Sequence, residues 1–280
     1  MANITNVKIK TPLVSYASDR TEAQGLADMQ STFNKSGKEI RDVADIHDVN
    51  LALAFSVAVV ENGGNTGRSQ DGLSYGAMQT NAATLDGVIK FAFDEEFPFN
   101  KFFYIYYKCP NAFTLKKGVK IPKMADLWDR DNLQFRQKSV KDLMTYKGAV
   151  EGGIYLVYDP KFPKKNDSAK PENKYNQLMM TDKLFGLHIG MMYLSQLISL
   201  SVVAEGSINR IRVDWVINGY NGGFYKNGNP WRVSSMAKYT PDEYLTLPTE
   251  LVAPVTKTYV KRICGVGGYL ELIKLRKFTF

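Results

Sequence analysis

Along IHDVNLALAFSVAVV, residues 46 to 60, apolar side chains fall on nearly every face that a helix would present. The pattern predicts a helix buried all round, opened by Asp45 or Asp48 as caps and closed by Gly63-Gly64. Ahead of it, residues 1 to 45 read as an extended start followed by one polar amphipathic helix around Glu22 to Phe33. A second apolar run, Leu184 to Ala204, has twenty-one residues without a formal charge. A membrane span is not expected there. His188, Gln196 and the serines at 195, 199 and 201 would be expensive in lipid and recur on one side, as in a packed core helix. SINRIRVDWVINGY is predicted helical from the spacing of Ile208, Ile211 and Trp215, with Ser207 as its cap. TKTYVKRI predicts a short helix, followed by an apolar extended tail.

Between these helices the texture changes. FAFDEEFPFNKFFYIYYKCP packs nine aromatics between Phe91 and Tyr107, and PKKNDSAKPENK is a polar, proline-bearing loop. The chain therefore divides into an N-terminal extension (1–45), a main domain in two pieces (46–85 and 177–265), an insertion or subdomain (86–176) with short strands expected in it, and a C-terminal tail (266–280). No internal repeat of solenoid length is present.

Charge narrows the partners without choosing one. The 280 residues carry a formal net charge of +8 and a pI of about 9.2, which favours a polyanion such as nucleic acid, an anionic membrane or bacterial cell wall. The basic residues are dispersed singly or in pairs such as Lys116-Lys117, with no Arg-rich helix and no nucleic-acid motif, so nucleic acid is not the expected partner. Two cysteines, Cys109 and Cys264, and two histidines, His47 and His188, have no metal-ligand spacing, and no metal site is expected. The first twenty residues lack the apolar core of a secretory signal, so action outside the cytoplasm calls for another route of delivery.

The candidate chemistry sits in ENGGNTGRSQDGLSYGAMQT, Glu61 to Thr80. Glu61 ends the apolar helix, where burial and the negative end of the helix dipole both disfavour its ionised form. A carboxylic acid kept protonated near neutral pH can donate a proton to a glycosidic oxygen as the bond breaks. The plainer reading is a solvent-facing Glu at a helix end.

From Glu61, Asn65 stands at +4, Gly76 at +15, Met78 at +17 and Gln79 at +18. This spacing resembles the catalytic stretch of lytic transglycosylases of the soluble, goose-lysozyme-like type, in which Glu-Ser precedes Gly-Leu-Met-Gln at the same separation. DKLFGLHIGMMYLSQLISL is similar to that family's glycine-centred helix, INGYNGG to its Ala-Tyr-Asn-Ala-Gly element, and TKTYVKRI to its closing Thr-x-x-Tyr-Val segment. The resemblance covers roughly residues 46 to 85 and 180 to 265. Order and spacing carry it, since each element alone is common. The chain departs at Asn62 for Ser, Ala77 for Leu, and Val255 for the Glu before the closing Thr. The last removes an acidic group and leaves the product chemistry open.

The resemblance implies a mainly α, lysozyme-like domain of two lobes with an aromatic-rich insertion, and Glu61 as its catalytic acid. It also implies that Gly76, Met78, Gln79, Tyr220, Asn221 and Tyr259 line a groove for substrate. Met78 would give an apolar wall, Gln79 would bond the acid or the substrate, Tyr220 would orient the carboxyl group, and Asn221 would bond an N-acetyl group or backbone near the scissile bond. Ordinary glycosidases use two carboxylates. The candidates for a second, Asp71, Asp86 and Asp214, match no position the family uses for a nucleophile, so a single-carboxylate reaction without cofactor is expected. Its partner would be the glycan strands of peptidoglycan. Hydrolysis by the same site and a catalytically silent module of a phage tail or secretion apparatus are the alternatives. Delivery as a component of a phage virion is the expected route to the wall.

Overall fold

The computed structural model describes residues 12–85, 87–88, 113–115, 128–129, 134–135, 144–146, 170–205, 208–222 and 239–280. The protein is mainly helical. It divides into two compact units, one of Met1–Asn65 with Met191–Phe280 and the other of Thr66–Gly190. The aromatic run Phe91 to Tyr107 and most of the predicted insertion lie outside the described residues.

In the first unit, helix α1 spans Glu22–Ile46. It starts in a capping box: the Thr21 hydroxyl accepts from the Gln24 N–H at 3.3 Å, and the Gln24 side chain accepts from the Thr21 N–H at 3.0 Å. It runs well past the expected end at Phe33, because Ile40, Val43 and Ala44 continue its buried stripe. Helix α2 spans Leu51–Glu61, so the apolar run from residue 46 is not one element. Residues 47 to 50 form a turn, with Asp48 in the left-handed region (φ 54°), and the cap is Asn50, whose side chain accepts from the Leu53 N–H at 3.2 Å. Neither Asp45 nor Asp48 caps it. Leu53 to Val59 are all buried, as expected for a helix covered on every side. Gly63 and Gly64, at φ 55° and 73°, end it directly after Glu61.

Two further expectations are corrected in this unit. The long apolar helix, numbered α4 in chain order, spans Lys183–Leu200 and its part from Met191 on belongs here. It does not reach Ala204. Val202–Glu205 (β5) and Ile208–Ile211 (β6) pair as an antiparallel hairpin, closed by the Arg212 N–H on the Ser201 carbonyl at 2.9 Å. Ile208 and Ile211 are thus strand residues, and α5 begins only at Val213, running to Gly222. The β-branched residues in both strands favour the pleated conformation over helix, which outweighs the helical spacing of Ile208, Ile211 and Trp215.

Helix α6 spans Pro241–Thr246 and α7 spans Pro254–Cys264, the latter packing on α5 and α2. The expected extended tail is instead a helix, α8, Tyr269–Lys274, followed by a return of the chain. On that return Phe278 reaches an aromatic cluster with Phe33, Phe55 and Phe280, at centroid separations of 5.0 to 6.4 Å. The N-terminal segment straps the end of α7: the Leu13 and Val14 N–H groups donate to the Cys264 carbonyl, and Arg262 grips the Asp19 carboxylate with two nitrogens. Cys264 is a free, buried thiol, and Cys109 lies outside the described residues.

In the second unit, α3 spans Lys174–Thr181 and the part of α4 up to Gly190 follows it. Three-residue strands Phe113–Leu115 (β1) and Met144–Tyr146 (β4) pair antiparallel, as do Trp128–Asp129 (β2) and Gln134–Phe135 (β3). Among the described residues, no helix is long and apolar enough to cross a membrane.

Candidate active site

Glu61 is the last residue of α2, held at the point where the two glycines at 63 and 64 turn the chain away. It is half-buried, and its carboxyl Oε1 accepts a hydrogen bond from the Tyr259 hydroxyl at 2.6 Å. Loss of hydration pushes its pKa from the ordinary 4.5 up to about 8, and the Tyr259 hydrogen bond pulls partly in the opposite direction. No cation is among these influences. At neutral pH the group is therefore a neutral acid with a fixed orientation.

Two tyrosines on separate helices bear on it, of which Tyr259 donates to it. Tyr259, on α7, and Tyr220, on α5, are 5% and 8% exposed, and both phenols are raised well above their ordinary pKa, first by burial and then by the charge of Glu61. They stay protonated and remain donors throughout the working pH range. Tyr193 of α4 sets its ring 5.2 Å from that of Tyr220, and its hydroxyl donates to the Gly219 carbonyl at 3.0 Å, pinning the turn of α5 that carries Tyr220. The Tyr244 phenol donates to the Asn218 side-chain oxygen, a bond that ties α6 to the same helix. Asn221 follows Tyr220, is half-buried, and accepts from the Thr256 hydroxyl at 2.8 Å.

Glu61, Tyr220, Asn221 and Tyr259 thus belong to one unit. The orienting hydrogen bond expected from Tyr220 comes from Tyr259, one turn beyond Thr256 on α7, while Tyr259 itself is too buried for the substrate contact expected of it. Tyr193 was not singled out from the sequence, although a polar-tipped aromatic in that largely apolar helix was a signal, and Thr256 was noted only as the head of the Thr-x-x-Tyr-Val segment, with no role of its own.

Gly76, Met78 and Gln79 belong to the second unit, where they form one tight loop. The Tyr75 and Thr80 backbones exchange hydrogen bonds at 2.7 and 3.0 Å, closing the four residues between them. Gly76 is held at φ 79°, and a Cβ there would come within 2.6 Å of the Met179 carbonyl oxygen, so no other residue fits. Met78 is fully buried against Gly190, whose missing side chain makes its room, since a Cβ would stand 2.3 Å from that of Met78. The apolar wall expected of Met78 is therefore a core contact. Only Gln79 of this loop keeps an accessible surface. Its φ of 47° is strained for a side-chain-bearing residue, and its amide nitrogen donates to the Gly76 carbonyl at 2.7 Å, which leaves its oxygen to accept.

Two of the three candidates for a second carboxylate are otherwise engaged. Asp71 lies exposed in a turn, accepting from the Ser69 hydroxyl and the Leu73 N–H, which hold its carboxyl below its usual pKa. Asp214 is buried and bound by both ends of the Arg212 guanidinium, and Asp86 is outside the described residues. Among the described residues no group of His, Cys, Asp and Glu could hold a metal ion. In comparisons with protein-family models, with curated proteins and with solved structures, nothing matches this chain.

Proposed function

We propose that the protein cleaves the glycan strands of peptidoglycan as a lytic transglycosylase, with Glu61 as the single acid and base. The observation that carries this reading is the protonated carboxyl of Glu61, pushed to a pKa of about 8 and aimed by Tyr259. Ordered sequence elements around Gly76 to Gln79, Tyr220 to Asn221 and Thr256 to Val260 add support. Among the described residues no cation bears on Glu61, and such an acid holds its proton until a leaving group needs it.

In the proposed reaction, Glu61 gives its proton to the oxygen between N-acetylmuramic acid and N-acetylglucosamine as the bond to C1 breaks. The substrate's own acetamide stabilises the cation-like sugar, which a second carboxylate does in most glycosidases. The Glu61 carboxylate then accepts the proton of the muramic C6 hydroxyl, which attacks C1 and closes a 1,6-anhydro ring. The acid is restored and no water is consumed. The Tyr259 phenol, bonded to Oε1, stabilises the transient carboxylate.

Purified sacculi incubated with the wild type are expected to release soluble fragments, and Glu61→Gln is expected to reduce the rate by about a hundredfold or more. Equal release by the two proteins would remove Glu61 from the chemistry. The net charge of +8 suits an anionic wall, and delivery by a phage particle is part of the same proposal. Antibody detection in purified particles tests that part separately.

A further inference from the structure

We propose that Asn62 is a positioning residue for Glu61: with Asn65 it closes a clasp that locks the turn after α2 and keeps the acid on Tyr259. The inference rests on the proposed glycan-cleaving site and adds to it the part that holds the acid from the side of its own chain.

Glu61 stands at a junction. Before it, Leu53 to Val59 are buried on every side, and after Asn62 come Gly63 and Gly64, both in the left-handed region at φ 55° and 73°. Glycine adopts that conformation freely, and for the same reason two in succession give a turn no stiffness of their own. The stiffness comes from the asparagines on either side. Asn62 Nδ2 donates to the Asn65 carbonyl at 2.8 Å, while Asn65 Nδ2 and its backbone N–H donate to the Asn62 carbonyl at 2.7 and 3.0 Å. Both acceptors are backbone carbonyls, which cannot donate, so each amide faces its partner by the nitrogen and neither serves when flipped over. The turn is also seated on α1. The buried Ser36 hydroxyl donates to the Gly64 carbonyl at 2.9 Å, and a Cβ on Gly64 would stand 2.6 Å from Ser36 Oγ.

The last backbone bonds of α2 adjoin this clasp. The Asn62 and Gly63 N–H groups both donate to the Ala58 carbonyl, at 3.4 and 3.0 Å, and a helix end held by so few bonds frays when its turn is released. Fraying would draw the Glu61 carboxyl off the Tyr259 hydroxyl, which it meets at 2.6 Å, and bring water to it. The burial that keeps the acid protonated would then be lost. Asn62 thus acts on the reaction through the backbone of Glu61. The clasp uses the amide at a position where this chain departs from the Ser of the family it resembles, so the resemblance does not imply it.

Two readouts on the full chain test the role. The first needs no substrate: the Glu61 carboxyl is titrated by carbon NMR in the wild type, in Asn62→Ala and in Asn65→Ala, its signal assigned by its absence from Glu61→Gln. The wild-type midpoint is expected near pH 8. In Asn62→Ala it should fall by at least about one pH unit toward the ordinary carboxyl value, and in Asn65→Ala, which keeps one amide bond of the clasp, by less. The melting temperature should change little, because the clasp bonds are exposed. The second readout is the rate on sacculi, where Asn62→Ala should lower kcat at neutral pH by about tenfold or more with KM nearly unchanged. An unshifted midpoint in the folded variants, or a loss of rate carried wholly by KM, would overturn the positioning role. Should Asn62→Ala fail to fold, Asn65→Ala decides alone: a lowered midpoint supports the role and an unshifted one overturns it. If the midpoint falls as expected but the wild type digests no sacculi, the positioning stands and the reading of the site falls.

Discussion

Glu61, taken as a single residue, links stability to pH with a definite sign. Its folded pKa of about 8 lies above the ordinary 4.5, so the folded chain keeps a proton that the unfolded chain releases. The resulting stabilisation is complete below pH about 4.5 and is lost as pH rises through about 8, by at most roughly 1.4 kcal/mol for each pH unit crossed. Glu61 is only half-buried as a residue, and screening by solvent brings the real slope below that ceiling. Glu61→Gln, which cannot ionise, escapes the loss. Its melting temperature should therefore rise relative to the wild type between about pH 5 and 9 and change little below that range, a comparison that calorimetry at several pH values checks. Tyr259 gives a second outcome. Its hydrogen bond lowers the Glu61 pKa against the pull of burial, so Tyr259→Phe should move the alkaline limb of the pH–rate profile upward. An alkaline limb that stays in place would mean that Tyr259 does not bond the acid.

Among the helices and strands, boundaries decided what the sequence could show. The all-round burial of α2 was legible because Leu53 to Val59 are almost uniformly apolar, and so was the turn at Gly63-Gly64 that leaves Glu61 at the helix end. The cap was not legible. Asp45, Asp48 and Asn50 are all good caps, and packing of α1 through Val43 and Ala44 chose among them. The same holds for Ile208 and Ile211, whose spacing suits a helix while pairing with Val202–Glu205 makes them a strand. Which tyrosine bonds Glu61 was equally hidden, because Tyr220 and Tyr259 are 39 positions apart and only the packing of α5 on α7 ranks them. Packing of the Gly76–Gln79 loop on α4 makes its own prediction. Gly190→Ala puts a Cβ 2.3 Å from the Met78 Cβ and should cost about 1–3 kcal/mol in denaturant unfolding. Met78→Ala in the same chain should relieve part of that cost, which a double-mutant cycle would read as coupling.

For the molecule as a whole, the unit that carries Glu61 is assembled from the two ends of the chain. The segment of residues 13 to 20 holds the end of α7, and the return after α8 brings Phe278 to Phe33 of α1 and Phe55 of α2. Burial of Phe278 at 6% exposure predicts that Phe278→Ala costs about 3–5 kcal/mol, measured by equilibrium unfolding, with loss of activity following loss of fold. Arg262→Ala should cost far less, under about 1 kcal/mol, because its pair with Asp19 is partly exposed and screened.

Everything proposed for this protein turns on a protonated Glu61 that, acting alone, closes an anhydro ring on a muramic residue. Mass spectrometry of the fragments that the wild type and Glu61→Gln release from purified peptidoglycan reads that step itself. Ends of 1,6-anhydro-muramyl type are expected from the wild type and none from the variant. Reducing muramyl ends would put water where the C6 hydroxyl is proposed to act, and the absence of fragments from every wall type tried would contradict catalysis at this site.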